Sequence, residues 1–119
     1  MIKLIATDID GTLLKDGTLM IDPEYMTVID KLTKKGIIFV ACSGRQFISE
    51  RKLFAPICDK LLYITDGGTV VRTPQNILKV HTLPEAVWHG MCETVRNELP
   101  DCDYFIATPD YCLAEDAGS

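Results

Sequence analysis

The sequence predicts an α/β fold: a short parallel sheet, then a hairpin, then the start of a second α/β unit. Three observations predict it. Short, nearly continuous apolar runs lack the in-out alternation of half-exposed strands, helix-like stretches with caps and breakers separate them, and the runs end in polar or glycine-containing turns.

The first run is Lys3-Leu-Ile-Ala-Thr7, which reads as a strand buried on both faces. Asp22-Pro23 then gives a cap followed by a first-turn proline, Met26, Ile29 and Leu32 form one apolar stripe, and Lys34-Lys35-Gly36 closes the helix. Ile37-Ile-Phe-Val-Ala41 is the second strand. A second helix is expected from about Gln46 to Phe54, with Phe47, Ile48 and Phe54 available for packing and Pro56 beyond its end. Leu61-Leu-Tyr-Ile-Thr65 is the third strand. The result is βαβαβ, half of a doubly wound, Rossmann-like parallel sheet. Thr69-Val-Val-Arg72 and Ile77-Leu-Lys-Val80, joined by a turn at Thr73-Pro-Gln-Asn76, suggest a hairpin. Leu83-Pro84-Glu85 opens a further helix with Trp88, Met91, Cys92, Val95 and Leu99 at helical spacing, and Tyr104-Phe-Ile-Ala107 follows as a strand.

The chain has 119 residues, 17 of them acidic and 12 basic, for a formal charge of -5. Without a lysine or arginine block it has no electrostatic footprint for nucleic acid or an anionic membrane, so a phosphorylated small molecule would be met by local groups. The longest apolar run, Ile37 to Cys42, is too short to cross a bilayer, and Asp8 interrupts the opening run far short of a signal-peptide core. A cytoplasmic location is expected. Five cysteines, an odd number with no Cys-x-x-Cys, read as reduced thiols.

Asp8-Ile9-Asp10-Gly11-Thr12-Leu13 directly follows the first strand, where open α/β sheets place their ligand crevice. Residues two apart in extended chain share a side, so Asp8 and Asp10 can project together while Ile9 turns into the core. Two carboxylates in one space need a cation or a shared proton, and a hard oxygen site of this kind suits Mg²⁺. Gly11 allows close backbone approach to a phosphate, and Thr12 offers a hydroxyl and an amide. Ala41-Cys42-Ser43-Gly44-Arg45 follows the second strand and is expected to open the second helix as an anion site, with Arg45 supplying charge or touching the substrate's organic part. Asp66-Gly67-Gly68 ends the third strand on the same edge. Cys42, beside this group, reads as packing, and His81 and His89 as solvated or packed side chains.

Asp8-x-Asp-Gly-Thr-Leu after one strand and Ser43-Gly-Arg45 after the next resemble the haloacid dehalogenase superfamily, specifically its Cof-type sugar-phosphatase branch. The resemblance implies Asp8 as the nucleophile that forms an aspartyl-phosphate and Asp10 as the acid/base. It implies Mg²⁺ held by the Asp8 carboxylate and the Asp10 backbone carbonyl, with Ser43 gripping the phosphate. Gly11, Thr12, Gly44, Arg45, Asp66 and Gly67 complete the expected phosphate and substrate contacts; relatives often carry asparagine at the place of Asp66.

The lysine and later acidic metal ligands of such a site have no counterpart here, and the Glu115-Asp116 pair lacks a preceding strand in this reading. The expected organisation is therefore residues 1–81 as the N-terminal part of a core and 82–119 as the beginning of an incomplete cap, the chain being a fragment or completed by a partner. The far edge of the first strand would favour self-association. The function expected is Mg²⁺-dependent phosphomonoester hydrolysis of a small metabolite or sugar phosphate. A non-catalytic module binding phosphate and Mg²⁺, and a sugar phosphomutase using the same intermediate, are the alternatives.

Overall fold

A computed structural model describes residues 1–115 of the chain. Parallel strands β1 (Leu4–Asp8), β2 (Ile38–Cys42) and β3 (Leu62–Thr65) lie side by side, joined through helices α1 (Pro23–Lys34) and α2 (Phe47–Leu53). Antiparallel strands β4 (Val70–Arg72) and β5 (Ile77–Val80) extend the same sheet beyond β3, giving the order β1-β2-β3-β4-β5. Helix α3 (Glu85–Glu98) and a separate antiparallel pair, β6 (Phe105–Ala107) and β7 (Cys112–Ala114), follow.

Helix α1 starts where its sequence says it should. The Asp22 carboxylate accepts from the Glu24 amide at 2.8 Å, satisfying a donor that the first turn of α1 would leave open, and Pro23 loses nothing at that position. Gly36, at φ +83°, lets the chain leave α1 in the left-handed conformation.

Both crossovers step in one direction, so α1 and α2 cover the same face of the sheet. Ile29, Phe47 and Phe54 pack there with Ile9, Phe39, Ala41 and Tyr63 in one cluster. Tyr63 is the centre of it: the rings of Phe47 and Phe54 meet its ring edge-on at 5.1 and 6.4 Å, and its hydroxyl donates to the Cys58 carbonyl.

The expectation of strands buried on both faces holds for β2, whose Phe39, Val40 and Ala41 are all buried, and fails for β1. β1 lies at the edge of the sheet, and the face away from the helices leaves Leu4 and its register partner Ile38 about half exposed. Ile48, expected to pack, points outward from α2. A strand, β7, does precede Glu115; the Glu115 carboxylate accepts from Arg96 and from the Tyr104 hydroxyl, and Asp116 lies outside the described residues.

Candidate active site

The parallel register sets the site. Asp8 lies beside Cys42, and Cys42 beside Ile64, so the residues following β1, β2 and β3 emerge together at the C-terminal edge of the sheet. Backbone bonds then lace two of the three turns: Ser43 donates to the Ile64 carbonyl, Asp66 to the Arg45 carbonyl at 2.8 Å, and Gly67 to the Ser43 carbonyl. Asp66 sits at φ +52°, a left-handed conformation that a short polar side chain tolerates. Its carboxylate accepts from the Thr65 hydroxyl at 2.8 Å.

Asp8 and Asp10 follow the expected path, with Ile9 fully buried between them. The Ile9 amide donates to Asp8 Oδ1 at 2.8 Å, which fixes that carboxylate; among the described residues Oδ2 accepts no bond. Asp10 does not share its charge with Asp8 in the way the sequence suggests. Arg45 takes it as a fork, Nε to Oδ2 at 2.9 Å and Nη2 to Oδ1 at 2.8 Å, and the Ser43 hydroxyl approaches Oδ2 at 3.4 Å. The Arg45 hydrogen bonds hold the Asp10 carboxyl below the usual carboxylate range. The like-charge repulsion that was expected to call for a cation is thus met by a guanidinium.

The loops around the crevice are held by their own contacts. Arg45 is engaged by Asp10 and by the Ser49 hydroxyl at 2.9 Å. The second helix begins at Phe47, three residues past Gly44, and the Ser43 hydroxyl caps the Arg45 amide at 3.0 Å instead; Ser43 and Gly44 lie on a loop and not on the helix end. The amides of Gly11 and Thr12 close their own turn, onto the Leu14 carbonyl at 2.8 Å and the Ile9 carbonyl at 3.1 Å, with Gly11 at φ +81°. Both bonds shape the loop.

Glu50 is the site neighbour that sequence reasoning missed. It is fully buried on α2, between Phe47 and Phe54 on the face turned to the sheet, and among the described residues neither carboxylate oxygen has a hydrogen-bond partner. Burial first, then the charge of Asp66, pushes its carboxyl up to about 9, with Arg45 pulling the other way. The signal was present: Phe47, Glu50 and Phe54 fall three and four apart, so an acidic residue occupies an apolar stripe. The Cys42 thiol is also shifted up, by burial and by the charges of Glu50 and Asp8.

The oxygen donors present fit a magnesium ion. Asp8 Oδ2 and the Asp10 main-chain carbonyl carry no hydrogen bond among the described residues. Those residues contain no group of three or more acidic, histidine or cysteine side chains placed to hold a metal. Mg²⁺ commonly binds through one or two carboxylates and completes its shell with water and substrate phosphate, so two protein oxygens suffice.

A family model described as haloacid dehalogenase-like hydrolase matches residues 5–117. The 5-amino-6-(5-phospho-D-ribitylamino)uracil phosphatase YbjI of Escherichia coli is 32% identical over 77 residues, which are 64% of this chain and 28% of that protein. The phosphatase YwpJ of Bacillus subtilis is 32% identical over 79 residues, covering 66% of this chain and 27% of its own length. A crystal structure from Eubacterium rectale is 74% identical with a TM-score of 0.89, covering 99% of this chain and 44% of that one. This chain thus spans under a third of those curated relatives and under half of that solved structure.

Proposed function

This chain belongs to the haloacid dehalogenase-like hydrolases, of the Cof type, and from that premise we propose that its crevice is the nucleophile half of a phosphomonoester hydrolase. The observation that carries the reading is the convergence of Asp8, Asp10 and Ser43 at adjoining strand ends, with an oxygen of Asp8 left open and Asp10 within reach of Ser43. Small phosphorylated metabolites, sugar phosphates first, are the proposed substrates; the E. coli relative's named substrate carries a 5-phospho-D-ribityl group, which supports that class.

One oxygen of the Asp8 carboxylate attacks phosphorus, the bond from phosphorus to the ester oxygen breaks, and the departing alkoxide takes a proton from Asp10. Asp10, then a carboxylate, accepts a proton from water as the water oxygen attacks phosphorus, and the Asp8–phosphorus bond breaks to release orthophosphate. Arg45 must leave Asp10 before that carboxyl can carry a proton, because its present grip favours the charged form. The Ser43 hydroxyl is the proposed donor to a phosphoryl oxygen. Mg²⁺, held by the Asp8 carboxylate and the Asp10 carbonyl, would offset charge between nucleophile and phosphate. Gly11, Thr12, Gly44, Asp66 and Gly67 are proposed to shape the loops around the phosphate.

We also propose residues 1–81 as the start of the catalytic core and 82–119 as the start of a cap. The grip of Arg45 on Asp10, which favours the charged carboxylate over the acid, supports a second reading for these 119 residues alone, a module that binds phosphate and Mg²⁺ without turnover. Hydrolysis of p-nitrophenyl phosphate, with and without Mg²⁺, beside Asp8→Asn separates the two. Metal-dependent turnover lost on substitution supports hydrolysis; phosphate binding without turnover supports the module.

A further inference from the structure

The two parts of the chain meet through very few groups. Among the described residues, every hydrogen bond between residues 83–115 and the five-stranded sheet with its helices comes from Gln46 or Arg72, and all of them land on one turn. Gln46 Nε2 donates to the Thr108 carbonyl at 3.2 Å. Arg72 Nη1 donates to Asp110 Oδ1 at 2.8 Å and reaches the Pro109 carbonyl at 3.5 Å. The radius of gyration, 17.2 Å, exceeds the roughly 13.5 Å of a compact chain of this length, as expected of two bodies joined at a narrow contact.

Arg72 is a receptor built into the sheet. Strand alternation puts it on the buried side with Val70, only 6% exposed. Its guanidinium lies 4.0 Å from the centroid of the Phe47 ring, Nε donates to the Thr73 carbonyl and Nη2 to the Pro74 carbonyl. Those contacts are all internal to the first part of the chain and hold the fork in place, leaving Nη1 for the second part. A buried cation without a carboxylate is costly, so the charge of Asp110 is what the socket lacks.

The turn that fills it is closed by its own hydrogen bonds. The Thr108 amide donates to the Tyr111 carbonyl at 2.8 Å, and the Thr108 hydroxyl bonds both the amide and the carbonyl of Tyr111. Gln46 is the residue after Arg45, so the seated turn borders the loop that carries Ser43 and Arg45.

We propose that Arg72 is a positioning residue that seats the Thr108–Tyr111 turn as a wall of the crevice, where the turn meets the organic part of a phosphorylated substrate. This rests on the phosphate reading of the crevice. Asp110→Asn removes the partner charge at an exposed position and leaves the Arg72 socket and the Ser43–Arg45 loop untouched. Hydrogen exchange of the whole 119-residue chain, followed by mass spectrometry, should show faster exchange of the amides in 105–114. About tenfold is expected, the factor equivalent to ~1.4 kcal/mol, with β1 to β3 unchanged.

Binding is read in parallel with two probes, inorganic phosphate and p-nitrophenyl phosphate, on an Asp8→Asn background that cannot turn over. Weaker binding of the ester with phosphate affinity unchanged is the expected result. Unchanged exchange in 105–114 overturns the positioning role; equal effects, or no effect, on the two probes overturn the wall. If neither probe binds the chain that retains Asp110, the phosphate reading fails and the wall with it, while the exchange measurement still decides whether Arg72 seats the turn.

Discussion

Glu50→Gln should change how stability depends on pH. In the folded chain the buried Glu50 carboxyl is pushed up to about 9, against about 4.5 for an ordinary glutamate. Between those values the folded state holds one proton that the unfolded state releases, so this residue favours folding fully below about pH 4.5 and progressively less as pH rises. The slope approaches 1.36 kcal/mol per pH unit, which makes about 4 kcal/mol between pH 5 and pH 8. Against a total stability of about 5–15 kcal/mol, that loss is large. Glutamine keeps the shape and cannot ionise, so the variant lacks this contribution to the slope. Urea denaturation followed by far-ultraviolet circular dichroism at several pH values measures the difference directly. The stability of the variant relative to the parent should rise by about 4 kcal/mol from pH 5 to pH 8; parallel curves would refute the assignment of a buried, neutral Glu50.

Gly11→Ala forces a side chain into φ +81°, and although the added methyl meets nothing within 4 Å, about 1 kcal/mol of stability should be lost in the same urea assay. No loss would mean that the turn relaxes. Phe54→Ala removes a fully buried ring from the side of Tyr63 and should cost about 3–5 kcal/mol, where a cost below about 1 kcal/mol would mean that the core is not closed there. Arg45→Ala should raise the Asp10 carboxyl toward the ordinary range, visible as a shifted carboxyl ¹³C titration; an unchanged titration would show that the fork is not made in solution.

The strand and helix order was legible because each signal is local. Apolar runs, the Asp22-Pro23 cap and the glycine after Lys35 each act within a few residues. Burial was less legible: the Leu4-Ile-Ala6 centre of the first run is as apolar as the Ile37–Ala41 run, yet β1 lies on an edge and β2 in the interior, a difference made by pairing partners far along the chain. The site shows the same division. The positions of Asp8, Ser43 and Asp66 at strand ends could be read from motifs, but the occupation of Asp10 by Arg45 depends on a contact across 35 residues. Glu50 and Arg72 escaped notice because charged side chains are ordinarily taken for surface. In both, periodicity pointed inward: Glu50 shares the stripe of Phe47 and Phe54, and Arg72 the side of Val70.

The account stands on Asp8 as the atom that receives the phosphoryl group. The chain should be incubated with Mg²⁺ and p-nitrophenyl phosphate, reduced with borohydride, which converts an acyl phosphate to an alcohol, and sequenced by mass spectrometry. Homoserine at position 8, absent without the ester and absent from Asp8→Asn, is the predicted result. Unmodified Asp8 under conditions that release nitrophenol, or homoserine at position 10 instead, would contradict it.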